Sequence, residues 1–241
     1  MARRLLVPKL VAGEMVLLPA EQAHHARDVL RLEVGDEVEL FTASGETAAA
    51  VLSEVTPCRV VARVEQIRKK PRVIELTIAS AIPKGARADW MIEKLSELGV
   101  ARFVPLATER SVVHPEGRNK IERWERLATE SAKQSRRTGV MRIDPLTRLE
   151  ELLEQIEGPA AYLSTAGGAL PLSSILHPPS SSLTLLVGPE GGWTDGELGL
   201  MSERHLTGMT LGATILRVET AAIAAAAVVA VLTAPGVVVL R

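Results

Sequence analysis

Aromatic side chains are scarce: three tryptophans, two phenylalanines and one tyrosine make up 2% of 241 residues. A core must therefore be built from Leu, Val, Ile and Ala, and the scarcity argues against holding single-stranded nucleic acid by extensive base stacking. Cysteine is rarer still. The single Cys58 has no partner for an internal disulfide, which fits a reducing cytoplasm, and it reads as buried filler rather than a nucleophile. The N-terminal stretch lacks an apolar segment long enough for a signal peptide. The longest apolar run, 221–232, falls short of the roughly 20 residues a membrane span needs. A soluble cytoplasmic protein with no membrane attachment is expected. Net charge is -1, which excludes a strongly basic protein without describing local patches. No G-x-x-x-x-G-K-[ST] is present, and no G-x-G-x-x-G with a following acidic residue, so neither a P-loop nor a standard dinucleotide site is expected. The pair His24-His25 has no H-E-x-x-H context and no partner cysteine, so no metal site is expected.

What is present is an ordinary globular balance, 46% hydrophobic and 24% charged. Up to about residue 67 the grammar is β. Short alternating or β-branched runs at 14–18, 37–41, 46–55 and 59–64 are punctuated by Gly13, Gly35-Asp36, Ser44-Gly45 and Pro57. One helical segment, 21–32, interrupts them, and together they suggest a small barrel. Lys69-Lys70-Pro71-Arg72 breaks the pattern, which puts a first domain at 1–70 and a second at 71–241.

From residue 73 strands and helices alternate. Strands are expected at 76–82, 102–106, 160–164, 183–187 and 208–211, and helices at 86–98, 119–137, 147–157 and 219–232. Capping boxes at Thr147-Arg148-Leu149-Glu150 and Thr194-Asp195-Gly196-Glu197 mark two helix starts. Such alternation means α/β: a mostly parallel sheet with helices on both faces. The 219–232 helix is apolar all round and should be buried on every side.

Two stretches carry the chemistry. Leu185-Leu186-Val187-Gly188-Pro189-Glu190-Gly191-Gly192-Trp193 is a buried strand that ends in a glycine-rich loop and runs into a helix. Leu211-Gly212-Ala213-Thr214-Ile215-Leu216-Arg217-Val218-Glu219-Thr220-Ala221 repeats the pattern. Ligands of open α/β sheets settle outside the carboxyl ends of the strands, so two such loops could form a pocket whose donors are mostly backbone amides.

In these motifs the chain resembles the ribosomal RNA small subunit methyltransferase E family, uridine-N3 methyltransferases of the knotted SPOUT class. The resemblance covers nearly the whole chain. It includes Arg3, His24-His25, Val29-Leu30-Arg31, Gly35-Asp36 and Phe41. Further on it takes in Lys84-Gly85, Trp90, Glu93-Lys94, Glu97-Leu98-Gly99-Val100, Thr108-Glu109-Arg110-Ser111, Trp124, Ser131, Gln134-Ser135 and Arg137. Trp193 stands where another aromatic, often Phe, is usual, and 169–182 carries no recognised motif.

The resemblance implies a small PUA-like β-barrel for RNA, then a SPOUT-type knotted parallel sheet whose chain threads a trefoil knot from about Gly188 onward. It implies S-adenosyl-L-methionine as methyl donor, held by Leu163, Gly188, Glu190, Gly191, Gly192, Leu211, Gly212, Ile215 and Leu216. It also implies a homodimer, and small-subunit (16S) ribosomal RNA or the assembled subunit as substrate. Candidate phosphate contacts are Arg3, Arg4, His24, Arg27, Arg31, Lys84, Arg110, Arg136 and Arg137. For the reaction, Arg217 is the candidate to stabilise negative charge spreading over a uracil. Glu190 or Glu219 could accept the N3 proton. Two plainer roles stay open: Glu219 complementing a helix dipole, and Arg217 pairing with Glu219 or Glu190. A SPOUT enzyme with another RNA target and a non-catalytic RNA-binding module are the alternative readings.

Overall fold

A computed structural model describes residues 3–69, 74–113, 118–137, 139–175 and 181–233. The chain divides into two compact units, Met1–Pro71 with Thr129–Val140, and Arg72–Ala128 with Met141–Arg241. The boundary expected at 70/71 lies outside the described residues.

In the first unit β1 (Arg4–Leu6), β2 (Met15–Leu17), β3 (Glu37–Phe41), β4 (Glu46–Val55) and β5 (Val60–Lys69) form one sheet in the order β1-β3-β4-β5-β2. Only β1 on β3 is parallel. Two register shifts in the β4–β5 ladder, at Ala48/Ala50 and Leu52/Glu54, add the local twist that curls the sheet. Leu5, Leu40, Leu52, Val60, Ala62 and Val64 fill its inner side. The expected helix is shorter than its pattern: α1 (Ala20–His24) passes into a π-helical turn, His25–Val29, and Arg31 at φ 53° takes the chain out of it. Cys58 is not buried. It sits exposed on the β4–β5 turn, where the Thr56 hydroxyl and amide both bond to Arg59. The alternating run around it is a strand end, and a turn residue has no core to fill.

The second unit holds β6 (Glu75–Ser80), α2 (Ala86–Glu97), β7 (Arg102–Ala107), α3 (Arg118–Gln134, whose last turns belong to the first unit), β8 (Arg142–Ile143), β9 (Thr147–Arg148) and α4 (Leu149–Gln155). Then come β10 (Ala160–Leu163), β11 (Leu170–Pro171), β12 (Ser182–Val187), α5 (Asp195–Glu203), β13 (Thr207–Thr210) and α6 (Val218–Thr233). Every ladder is parallel, in the order β11-β13-β10-β12-β6-β7-β8, with β9 also on β7. Consecutive residues of β12, Leu185 and Leu186, are both fully buried, as strands covered on both faces require. On one face α4 and α5 bring Leu149, Leu152, Leu153 and Met201 onto Ala79, Val104, Leu106 and Leu186.

Two local expectations are corrected. Thr147 does not cap α4: its hydroxyl bonds to the Pro145 carbonyl, and Arg148 is the N-cap, because Thr147 is held in the β9 ladder. The helix α6 is not buried all round. Val218, Glu219, Ala222, Ala225, Ala226 and Val229 face inward, whereas Val231 and Leu232 are exposed. The second capping box is as expected: Thr194 accepts from the Glu197 amide, and Glu197 accepts from the Thr194 amide.

Candidate functional site

Parallel pairing places β13, β10 and β12 side by side. Tyr162 is level with both Leu186 and Gly208, so Leu163, Gly188 and Leu211 stand at neighbouring carboxyl ends of three strands. These residues are 25 and 23 positions apart in sequence. The sheet alone brings them to one edge, the position where open α/β folds hold ligands.

The loop after β12 is held by its neighbours more than by itself. The Trp193 indole lies on Gly188, where a Cβ would meet Trp193 Cε2 at 2.8 Å. Its Nε1–H donates to the Leu163 carbonyl at 2.9 Å, and the ring meets Tyr162 edge-on at 6.3 Å. Gly192 adopts φ 72°, a conformation open to glycine, and its amide closes a turn onto the Pro189 carbonyl at 2.9 Å. From outside, Arg110 Nη1 donates to the Gly191 carbonyl at 2.8 Å, and a Cβ on Gly191 would press Arg110 Cβ at 3.3 Å. Glu197 is 6% exposed and uses both oxygens, one for the Thr194 amide at 2.8 Å and one for the Glu109 amide at 2.9 Å. It thereby ties the 108–111 loop to the start of α5.

The second loop is more open. Ile215 is 84% exposed, Gly212 and Arg217 are exposed, and Leu211 and Leu216 are half-buried. Arg217 has no ion-pair partner among the described residues. The arginine that meets both glutamates is Arg87, in the first turn of α2: its Nη1 stands 3.4 Å from Glu190 Oε1 and 3.4 Å from Glu219 Oε1. No sequence signal marks Arg87, since its partners lie 103 and 132 positions away. Glu197 carried a signal only as a helix cap. Lys84 is exposed just before α2. Among the described residues no group of three His, Cys, Asp or Glu is placed to hold a metal.

The basic residues of the first unit divide into two kinds. His24 pairs with Asp28 at 2.6 Å, and Arg27 pairs with Asp28 while also reaching the carbonyls of Thr56 and Pro57. The Arg27 guanidinium, then His24, holds the Asp28 carboxyl below its ordinary range. Arg3 pairs with Asp36, and Arg31 and Arg136 are exposed. Arg4 is different, and its expected phosphate role is corrected. It is 2% exposed, pairs with Glu39 at 2.7 Å, donates to the carbonyls of Ala132 and Arg137, and lies 4.5 Å over the Phe41 ring. The Arg4 side chain is built into the packing, out of reach of a phosphate. Burial lowers the Arg137 guanidinium to about 10, still charged at neutral pH.

Residues 69–230 match the model of the RNA methyltransferase domain family, and residues 18–65 match that of the RNA methyltransferase PUA domain. The class is therefore that of a parallel α/β methyltransferase domain preceded by a PUA domain. Among curated proteins, ribosomal RNA small subunit methyltransferase E of Bacillus subtilis is 34% identical, covering 85% of this chain and 85% of that protein. The protein of the same name from Synechocystis is 33% identical, covering 92% of this chain and 75% of its own length. The crystal structure of ribosomal RNA small subunit methyltransferase E from Neisseria gonorrhoeae, bound to S-adenosyl methionine, superposes with a TM-score of 0.84 at 30% identity, covering 94% of this chain and 96% of the Neisseria chain. The chain belongs to the ribosomal RNA small subunit methyltransferase E family.

Proposed function

We propose that the protein transfers a methyl group from S-adenosylmethionine to N3 of a uridine in small-subunit ribosomal RNA. One observation carries the reading: the loops that open at Gly188 and Leu211 flank Leu163 at the carboxyl edge of three adjacent parallel strands. Family membership and the donor bound in the Neisseria relative support it. The residues suit the donor. Exposed Ile215 with half-buried Leu211 and Leu216 offers apolar surface to adenine, while Gly191, Gly192 and Gly212 leave backbone groups within reach. Leu163, Gly188 and Glu190 complete the contact set, and the chain from Gly188 onward threads a trefoil knot within a methyltransferase domain spanning 71–241.

The bound donor supplies an already activated sulfonium methyl. The protein's task is to align N3 with it and to stabilise charge on the base. Exposed Arg217 faces solvent with no ion-paired carboxylate among the described residues, which suits contact with the uracil carbonyls. Glu190, an exposed carboxylate held by Arg87, takes the N3 proton. Arg3, His24, Arg27, Arg31, Arg136 and Arg137 in the first unit, with Lys84 and Arg110 in the second, contact phosphates. The outward apolar residues Val231 and Leu232 of α6 support a homodimer. Exposed Cys58 fits a reducing, cytoplasmic setting. Among the described residues no helix is long and apolar enough to cross a membrane.

The test incubates the protein with labelled donor and undermethylated small subunits, then maps the product nucleoside. Label at uridine N3 is expected. Label on a ribose hydroxyl or another base overturns the position while leaving the methyltransferase reading intact.

A further inference from the structure

One guanidinium, that of Arg87, serves two carboxylates, Glu190 and Glu219, each at 3.4 Å. The group is left with one negative charge in excess. Glu219 is 4% exposed, and its Oε2 is buried with no hydrogen-bond partner among the described residues. Buried carboxylates are ordinarily matched by donors or by opposite charge, so this one calls for an explanation.

The rest of α2 does not supply the match. Asp89 is engaged by Lys120 and Arg123, and Lys94 is engaged by Glu93 and Glu97. Arg217 precedes Glu219 by two positions, but among the described residues it lies within ion-pair distance of neither Glu219 nor Glu190. Dipole complementarity at the start of α6 accounts for an acid there, yet it does not account for burying a carboxylate whose one cation among the described residues is shared. The surplus charge sits where both pocket loops are anchored, Glu190 within the first and Glu219 directly after the second. Because Glu219 Oε2 is closed off from solvent, it acts through its charge rather than by touching substrate, in an interior that screens less than water does.

We infer that Arg87, Glu190 and Glu219 form an electrostatic selector that favours the charged methyl donor over its spent form. The inference rests on the S-adenosylmethionine reading above. In the transfer, the S–CH3 bond breaks and its electron pair stays on sulfur, while the uracil N3 lone pair forms the new N–CH3 bond. The N3 proton passes to the exposed Glu190 carboxylate, which then returns it to solvent. The ligand's sulfonium cation thereby becomes a neutral thioether, and its attraction to the surplus negative charge ends at the moment of transfer. Binding energy is directed to the reactive cofactor, and departure of the product is favoured.

Calorimetric titration of the full chain with S-adenosylmethionine and with S-adenosylhomocysteine gives the ratio of the two Kd values. Glu219→Gln neutralises the surplus and should reduce preference for the donor by roughly three- to thirtyfold. Arg87→Gln doubles the surplus and should increase that preference. Opposite signs distinguish charge selection from general loosening, which shifts both ligands together. A wild-type protein that binds neither ligand overturns the donor reading itself. Wild-type binding of both, with a ratio that stays fixed or moves the same way in the two variants, overturns the selector alone. If Glu219→Gln does not fold, Arg87→Gln, altering a partly exposed side chain, decides by the sign of its shift.

Discussion

Trp193 lies directly on Gly188, and the first residue after β12 has no room for a side chain because of it. The same indole bonds to the Leu163 carbonyl, so a methyl group at 188 would push against the link between the ends of β12 and β10. Gly188→Ala should therefore destabilise the domain by about 1–3 kcal/mol and weaken donor binding, the usual cost of overpacking. Calorimetry with S-adenosylmethionine, alongside urea denaturation, checks both. Unchanged binding with unchanged stability would show that the indole moves aside freely.

Arg4 gives a prediction opposite to that of an RNA-contacting arginine. Its guanidinium is committed to Glu39 and to two carbonyls beneath the surface of the first unit. Arg4→Met strips donors from buried carbonyls and should cost about 3 kcal/mol of stability. RNA affinity per folded molecule should be unchanged. A normal urea midpoint with a weaker, less salt-dependent RNA affinity would return Arg4 to the phosphate contacts.

The contrast shows what was legible in the chain. Strands β3, β4, β7, β10 and β12 and helices α2 and α6 announced themselves, because four or more residues of alternation or 3.6 periodicity leave a pattern. β1, β8, β9 and β11 did not, since two or three residues carry no period and form only because a neighbouring strand offers its edge. The two glycine-bearing loops at the strand ends were legible from their glycines. Their supports were not: Arg87, Arg110 and Glu197 act on partners 81 to 132 positions away, a spacing decided by the order of strands in the sheet. An arginine's burial, as at Arg4, is likewise invisible until its acceptors are placed.

Glu197 can be tested through its two acceptor oxygens. Both receive backbone amides, and an amide side chain can reproduce only one of those bonds. Glu197→Gln leaves a buried N–H facing an NH2 group and should cost about 2 kcal/mol. Glu197→Ala should cost more, since the reciprocal bond of the cap is lost as well. Chemical denaturation resolves both. Equal stability of all three proteins would mean that the tie to the 108–111 loop opens without consequence.

Arg110 is exposed, yet it holds the Gly191 carbonyl in the loop expected to embrace the donor. Truncating an exposed side chain should barely change the melting temperature. Arg110→Ala should instead raise the Kd for S-adenosylmethionine by about tenfold, one hydrogen bond's worth. Arg110→Lys, which keeps a donor, should recover some of that affinity. Loss of RNA affinity with normal donor affinity would assign Arg110 to phosphate alone.

Arg217 combines exposure with freedom from any ion pair among the described residues, so its removal leaves no carboxylate stranded. Arg217→Ala should keep the wild-type melting temperature and nearly the wild-type donor affinity. Turnover is a different matter. A cation that meets charge developing on a base contributes in the transition state, and its loss should lower kcat by about 10²–10³-fold. Arg217→Lys should restore some of that rate, because a point charge replaces some of the electrostatic effect without the planar fork. Single-turnover methylation at saturating donor separates these effects. A rise in KM with full kcat would make Arg217 a substrate-binding residue, and a fall in stability would place it in the scaffold.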